Sequence, residues 1–187
     1  MLRLLTLPLA IGLTLSAAAA SEITDKAAQA DALATQGKFV DAMDALDQAA
    51  AALWDKAPLT FRHALWVQQP AAGFGAYLAR ANNVFAAGDP MFAYVEPIGF
   101  GWRPLGDIFQ TDLAADIRIA DKDGHQIYEQ KDFQKLSLVS HVKNREFMTR
   151  FVFTLNGIPS GQYIIETTLR DAITGKSGSF SLPFVIK

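Results

Sequence analysis

The sequence predicts an α+β chain in which an N-terminal α-helical hairpin packs on an antiparallel β-sandwich. Three observations carry that reading. Residues 22–54 are Ala-rich, lack proline and hold a single glycine; after Pro58 the pattern changes to period-two alternation; and from there turn residues recur roughly every ten positions. Half of the 187 residues are apolar, 11% are aromatic and 19% charged, and the 13 Gly and 8 Pro show no G-x-y period. That composition excludes disordered, collagen-like and low-complexity chains. The length suits one globular domain with a small appendage.

Residues 1–20 read as a secretory signal peptide. Arg3 gives a positive start, Leu4 to Leu15 form an apolar run, and Ala17 to Ala20 supply small residues for cleavage, with the cut expected before Ser21 or slightly earlier. The run is shorter than the roughly 18 residues a membrane span needs, so no stable membrane anchor is expected after cleavage. No cysteine follows it, which removes lipoprotein attachment, and none occurs anywhere in the chain. Disulfides and thiolate chemistry are therefore excluded, stability rests on packing, and a bacterial periplasmic or secreted location is expected.

Charge narrows the partners. The formal net charge is −2, and the acidic excess lies in the segment 21–60, where seven acids face three lysines. With no broad basic surface and no Lys/Arg block, nucleic acid is excluded as a partner.

The expected domains are a hairpin at 21–56 and a β-sandwich at 57–187. In the hairpin, Ala27, Ala30, Leu33 and Ala34 recur along a first helix over residues 24–35, and Gly37 separates it from the second. There Phe39, Ala42, Met43, Leu46, Ala49, Ala50 and Leu53 recur at spacings of three and four, opposite Asp41, Asp44 and Asp47. The run Gly37-x-Phe39-x-x-Ala42-x-x-x-Leu46-x-x-Ala49 resembles the second half of a tetratricopeptide (TPR) repeat, over about one repeat's length. A single repeat cannot bury its own apolar face. The hairpin is therefore expected to cap the following domain, with Leu46 in the middle of the covered stripe; a TPR-style peptide groove is the other reading.

Strands are expected wherever apolar and polar residues alternate: Leu113 to Ile119, Phe147 to Leu155, Tyr163 to Leu169 and Phe180 to Ile186, with Ala64 to Gln68, Phe92 to Glu96 and Gln126 to Glu129 as further candidates. Pro183 cannot donate to a ladder and implies a free side on the last strand. Asp123-Gly124, Asn156-Gly157, Pro159-Ser160-Gly161 and Thr174-Gly175-Lys176 supply the turn chemistry. The stretch from Leu155 to Tyr163, followed by Asp171 to Lys176 and a final apolar strand, resembles the last strands of bacterial immunoglobulin-like sandwiches. The resemblance implies that fold, with Tyr163 as a corner tyrosine bonded to backbone near the preceding turn.

Chemistry is sparse. Asp121-Lys122-Asp123-Gly124 invites a calcium-loop reading, but Ile119 and Gln130 fall where ligands are required, so a hairpin turn is expected. His63, His125 and His141 have no neighbouring His or Cys, and no nucleophile elbow, Walker loop or complete dinucleotide fingerprint occurs. No catalytic residue, metal or cofactor is therefore assigned. The densest unusual composition is the aromatic stretch Phe92 to Arg103. Tyr94, Glu96, Phe100, Trp102 and Arg103 are the candidate ligand-binding residues, because rings give stacking area and a carboxylate gives direction to a sugar or peptide. The favoured reading makes the rings core and pairs Glu96 with Arg80 or Arg103. The expected function is an exported, non-enzymatic binding or protein-interaction module; the alternative is a carbohydrate or cell-wall-ligand binder using the stretch around Glu96.

Overall fold

The computed structural model describes the backbone of residues 14–187 and side chains from residue 22 onward. Most of the segment expected to be a signal peptide, residues 1–13, lies outside that range. The rest forms a helical unit ending at Lys56 and a β unit from Ala57 to Lys187.

The helical unit is an antiparallel pair, α1 (Thr14–Thr35) and α2 (Phe39–Lys56). Gly37 ends α1 at φ +75°, with Gly37 N–H donating to Ala34 C=O at 2.9 Å and Lys38 N–H to Leu33 C=O at 3.0 Å. This is a Schellman cap, whose left-handed position glycine occupies without strain. Small residues set the helix contact: Ala30 of α1 and Ala42, Ala45 and Ala49 of α2 are buried; Trp54, on another face of α2, is buried too. Ala27, expected on the inner face of α1, is exposed.

The β unit comprises β1 (Thr60–Val67), β2 (Val84–Phe85), β3 (Pro90–Ile98), β4 (Arg103–Leu105), β5 (Ile108–Gln110), β6 (Leu113–Asp121), β7 (Gln126–Leu136), β8 (Val139–Ser140), β9 (Thr149–Thr154), β10 (Gly161–Asp171) and β11 (Ser177–Ile186). One sheet has the order β1-β3-β9, the second β2-β11-β10-β6-β7, and a small third sheet β4-β5-β8. All pairings are antiparallel except β2 with β11. With β1, β3 and β9 as strands A, B and E, and β11, β10, β6 and β7 as G, F, C and C′, this is the strand order of an immunoglobulin-like sandwich.

Alternation places the core between the two larger sheets. Leu113, Ala115, Ile117 and Ile119 of β6, Phe151 and Phe153 of β9, and Leu182 and Phe184 of β11 are buried. Trp66 joins them, its ring edge-on to Phe85, Phe153 and Phe184 at 5.2–6.2 Å between centroids. Its indole N–H donates to the C=O of Pro183 at 2.9 Å, and so does the Asn83 amide at 3.0 Å. Strand β2 reaches β11 only at Val185 and Ile186. Pro183 therefore sits on a free side of β11, where its missing N–H costs no ladder bond.

Candidate functional site

The five candidate residues of the aromatic stretch do not form one surface. From Met91 to Pro97 all residues of β3 except Phe92 are buried, on both faces. The inner face meets the sandwich core. The outer face is covered by the end of β1 and the segment that follows it, where Val67 and Ala71 form a second, small core with Tyr94, flanked by Leu65, Tyr77, Phe92 and Met148. The Tyr77 and Tyr94 rings lie 4.3 Å apart. Tyr94 and Glu96 belong to this covered face.

Their chemistry is internal. The Tyr94 hydroxyl donates to the Glu96 carboxylate and accepts the Gly75 N–H at 2.7 Å, which ties the covering segment to the strand. Arg150 Nη1, donating to Ala71 C=O at 3.2 Å, adds a second tie. Burial and the bond to Glu96 push the Tyr94 phenol up to about 12, against the opposing Gly75 N–H. The partner expected for Glu96, Arg80 or Arg103, is engaged elsewhere. Arg80 donates to Val84 C=O at 2.9 Å and lies over the Phe85 ring, and Arg103 reaches Gln110 at 3.4 Å.

Phe100 is buried against Trp102 and Phe147, at 5.3 and 5.5 Å between centroids. Trp102 is half-buried and Arg103 exposed, so only these two of the five meet solvent appreciably. Period-two alternation marked Tyr94 and Glu96 as one strand face; a cover over that face carries no periodic signature and was not visible in the sequence.

Asp121, Asp123 and His125 each place a ligand atom within 4.8 Å of the others. The geometry is that of a hairpin turn. Asp121 Oδ1 accepts the N–H groups of Asp123 and His125, both at 2.9 Å, Gly124 takes φ +83°, and Lys122 Nζ occupies the Asp123 carboxylate at 2.7 Å.

The least expected surface is on α2. The single apolar stripe anticipated there is two. Its small residues and Trp54 are buried, whereas Phe39, Val40, Met43, Leu46 and Leu53 are exposed; Leu46, expected to be covered, is 48% exposed. Phe39, Met43, Leu46, Ala50 and Leu53 follow spacings of 4, 3, 4 and 3, the d-a-d-a-d positions of two heptads. Of the four aspartates on the helix, Asp47 flanks this seam, whereas Asp41, Asp44 and Asp55 lie toward the opposite face; Lys56 is the one cation on the helix. The separation was legible in residue size: alanines at 42, 45 and 49 suit a close helix contact, and the large side chains fall beside them.

No protein-family model matches the sequence, and no curated protein does. Some solved structures resemble it distantly. The PKD domain of an M14-like peptidase from Thermoplasmatales archaeon SCGC AB-540-F20 is 11% identical at a TM-score of 0.38, over 70% of this chain and 96% of that one. A Niemann-Pick type C2 protein from Japanese carpenter ant is 7% identical at 0.40, over 70% and 94%. The Pseudomonas fluorescens alkylpurine DNA glycosylase AlkC is 11% identical at 0.39, over 75% of this chain and 33% of that one. Likeness at this level carries no argument about function.

Proposed function

We propose that the chain is an exported, non-enzymatic protein-interaction module, and that the exposed seam of α2 receives an amphipathic helix of a partner protein with basic flanks. Export rests on the leader-like residues 1–20. Among the described residues, no helix is long and apolar enough to cross a membrane.

The single observation that supports the docking role is the heptad spacing of the exposed large residues on α2. A 3.5-residue repeat is the pattern that keeps an apolar seam in register with a second helix, whose side chains fill the holes between Phe39, Met43, Leu46 and Leu53. The acidic balance of the helix, four aspartates against one lysine with Asp47 beside the seam, favours a basic partner and disfavours a second copy of this helix. A glycan reading finds less support, because Tyr94, Glu96 and Phe100 are buried and only Trp102 and Arg103 meet solvent.

The test compares the exported wild-type chain with a Met43→Lys/Leu46→Lys double variant and a Gln48→Lys control, each used to capture partners from the same extracytoplasmic extract. Gln48 is exposed on α2 at the heptad position opposite the seam. A partner retained by wild type and control, lost by the double variant and weakened by salt supports the reading. A partner retained equally by all three rejects it.

A further inference from the structure

The two sheets of the sandwich part along one side. Among the described residues β7 pairs only with β6, β9 pairs only with β3, and no strand joins their free edges. A cleft of about 650 Å³ opens between them, a volume within the roughly 300–1,000 Å³ typical of small-molecule sites. Its deep wall is hydrocarbon: Ile117, Ile119 and Phe153 are buried, with Phe133 half-buried beside them. Large apolar side chains also form the mouth, where Ile127, Tyr128 and Val152 are 49%, 45% and 48% exposed.

Polar groups gather at one end, where Asp121 and Tyr163 are register partners and the loop after β9 closes the cleft. There Asp121, Thr154 and Asn156 join the lining. Burial works to raise the Asp121 carboxyl, but the backbone and ring of His125 and the Asp123 N–H together hold it below the usual range. It stays ionised, and it is the only ionisable acid or base in the lining apart from the two tyrosines. The site thus has an apolar body and an acceptor-rich, anionic end, which suits a head group that donates hydrogen bonds and opposes a carboxylate.

We propose that this cleft binds one molecule of an uncharged single-chain amphiphile, its alkyl chain between the sheets and its hydroxyl head at Asp121, Thr154 and Asn156. The inference is independent of the α2 seam, since every residue it uses lies in the β unit.

The test titrates the full chain with the uncharged fluorophore N-phenyl-1-naphthylamine, whose emission rises in apolar surroundings, and then displaces it with 1-monomyristin or with myristate. Saturable binding of one probe is expected, with monomyristin displacing it at a concentration lower than myristate by about tenfold or more. Val152→Glu and Ile127→Glu, both at the exposed mouth, are expected to weaken probe binding by about tenfold or more, while Val139→Glu, on an exposed strand outside the cleft, leaves it unchanged. Circular dichroism and the unfolding midpoint check each variant, and Tyr128→Glu replaces any mouth variant that does not fold. Absence of saturable binding, equal displacement by myristate, or wild-type binding in the folded mouth variants overturns the proposal.

Discussion

Tyr94 and Glu96 are hydrogen-bonded to each other on the covered face of β3, and the same Tyr94 oxygen accepts the Gly75 N–H from the segment that covers them. An acid and a ring that were candidates for a ligand face, with a structural role as the favoured reading, therefore serve as a clasp between strand and cover. Tyr94→Phe leaves the Glu96 carboxylate and the Gly75 N–H without this partner, and is expected to cost about 1.5–3 kcal/mol in chemical denaturation. An unchanged midpoint would remove the clasp.

The same phenol sets an alkaline limit. Its folded value is pushed up to about 12 from an ordinary 10, so the unfolded chain ionises first as pH rises. Stability is whole below pH 10 and falls between 10 and 12 by about 1.4 kcal/mol per pH unit from this group. Other tyrosines and lysines titrate there too, so the wild-type curve is compared with that of Tyr94→Phe. The variant is expected to show the shallower loss, and parallel curves would contradict the assignment.

At the acid end, Arg170 bridges two strands, donating to Asp116 at 2.8 and 3.0 Å and to Asp132 at 2.7 Å. The Arg170 bond, with the Asp132 N–H, holds the Asp116 carboxyl low although burial opposes it. A depressed carboxyl gives stability that is present above the unfolded value near pH 4 and lost as pH falls through the folded one. Arg170 is 47% exposed, so solvent screens the pair and its worth is expected below about 1 kcal/mol. Asp116→Asn is expected to flatten the acid limb of the stability curve and to leave the alkaline limb unmoved.

Gly178 of β11 faces the backbone of Leu59, where an added Cβ would sit 2.0 Å from the carbonyl oxygen. Backbone cannot yield as a side-chain tip does. Gly178→Ala is expected to destabilise by at least about 1–3 kcal/mol, the usual cost of overpacking, and a denaturation midpoint equal to wild type would contradict the contact.

Tyr163, near the start of β10, strand F of the sandwich, donates to the Pro159 C=O at 2.8 Å, the corner bond anticipated from its place after the Pro159-Ser160-Gly161 turn. Tyr163→Phe keeps the ring packed on Phe184, at 5.4 Å, and is expected to lose only about 0.5–1.5 kcal/mol.

These residues show where the sequence was legible. β6, β9, β10 and β11 each pack one face on the core, so their alternation named both strand and buried face; Asn156-Gly157 and Thr174-Gly175 marked turns whose glycines take φ +72° and +73°. At β3 the aromatics are core, the reading period-two aromatics favour; what alternation could not name is the cover over the outer face or the Tyr94 partner of Glu96. On α2 the period was right and the face was not. Ala42, Ala45 and Ala49 won the helix contact because small side chains allow close approach, which left Phe39, Met43, Leu46 and Leu53 exposed. Nothing periodic marks the inter-sheet cleft, since it depends on which strands end each sheet.

The most direct test of the α2 seam is site-specific photocrosslinking in cells exporting the chain, with p-benzoylphenylalanine placed at Met43, at Leu46 or at Gln48. A seam that seats a partner helix yields one defined protein adduct from positions 43 and 46 and none from 48. Adducts from 48 alone, equal labelling at all three positions, or no adduct at either seam position would contradict it.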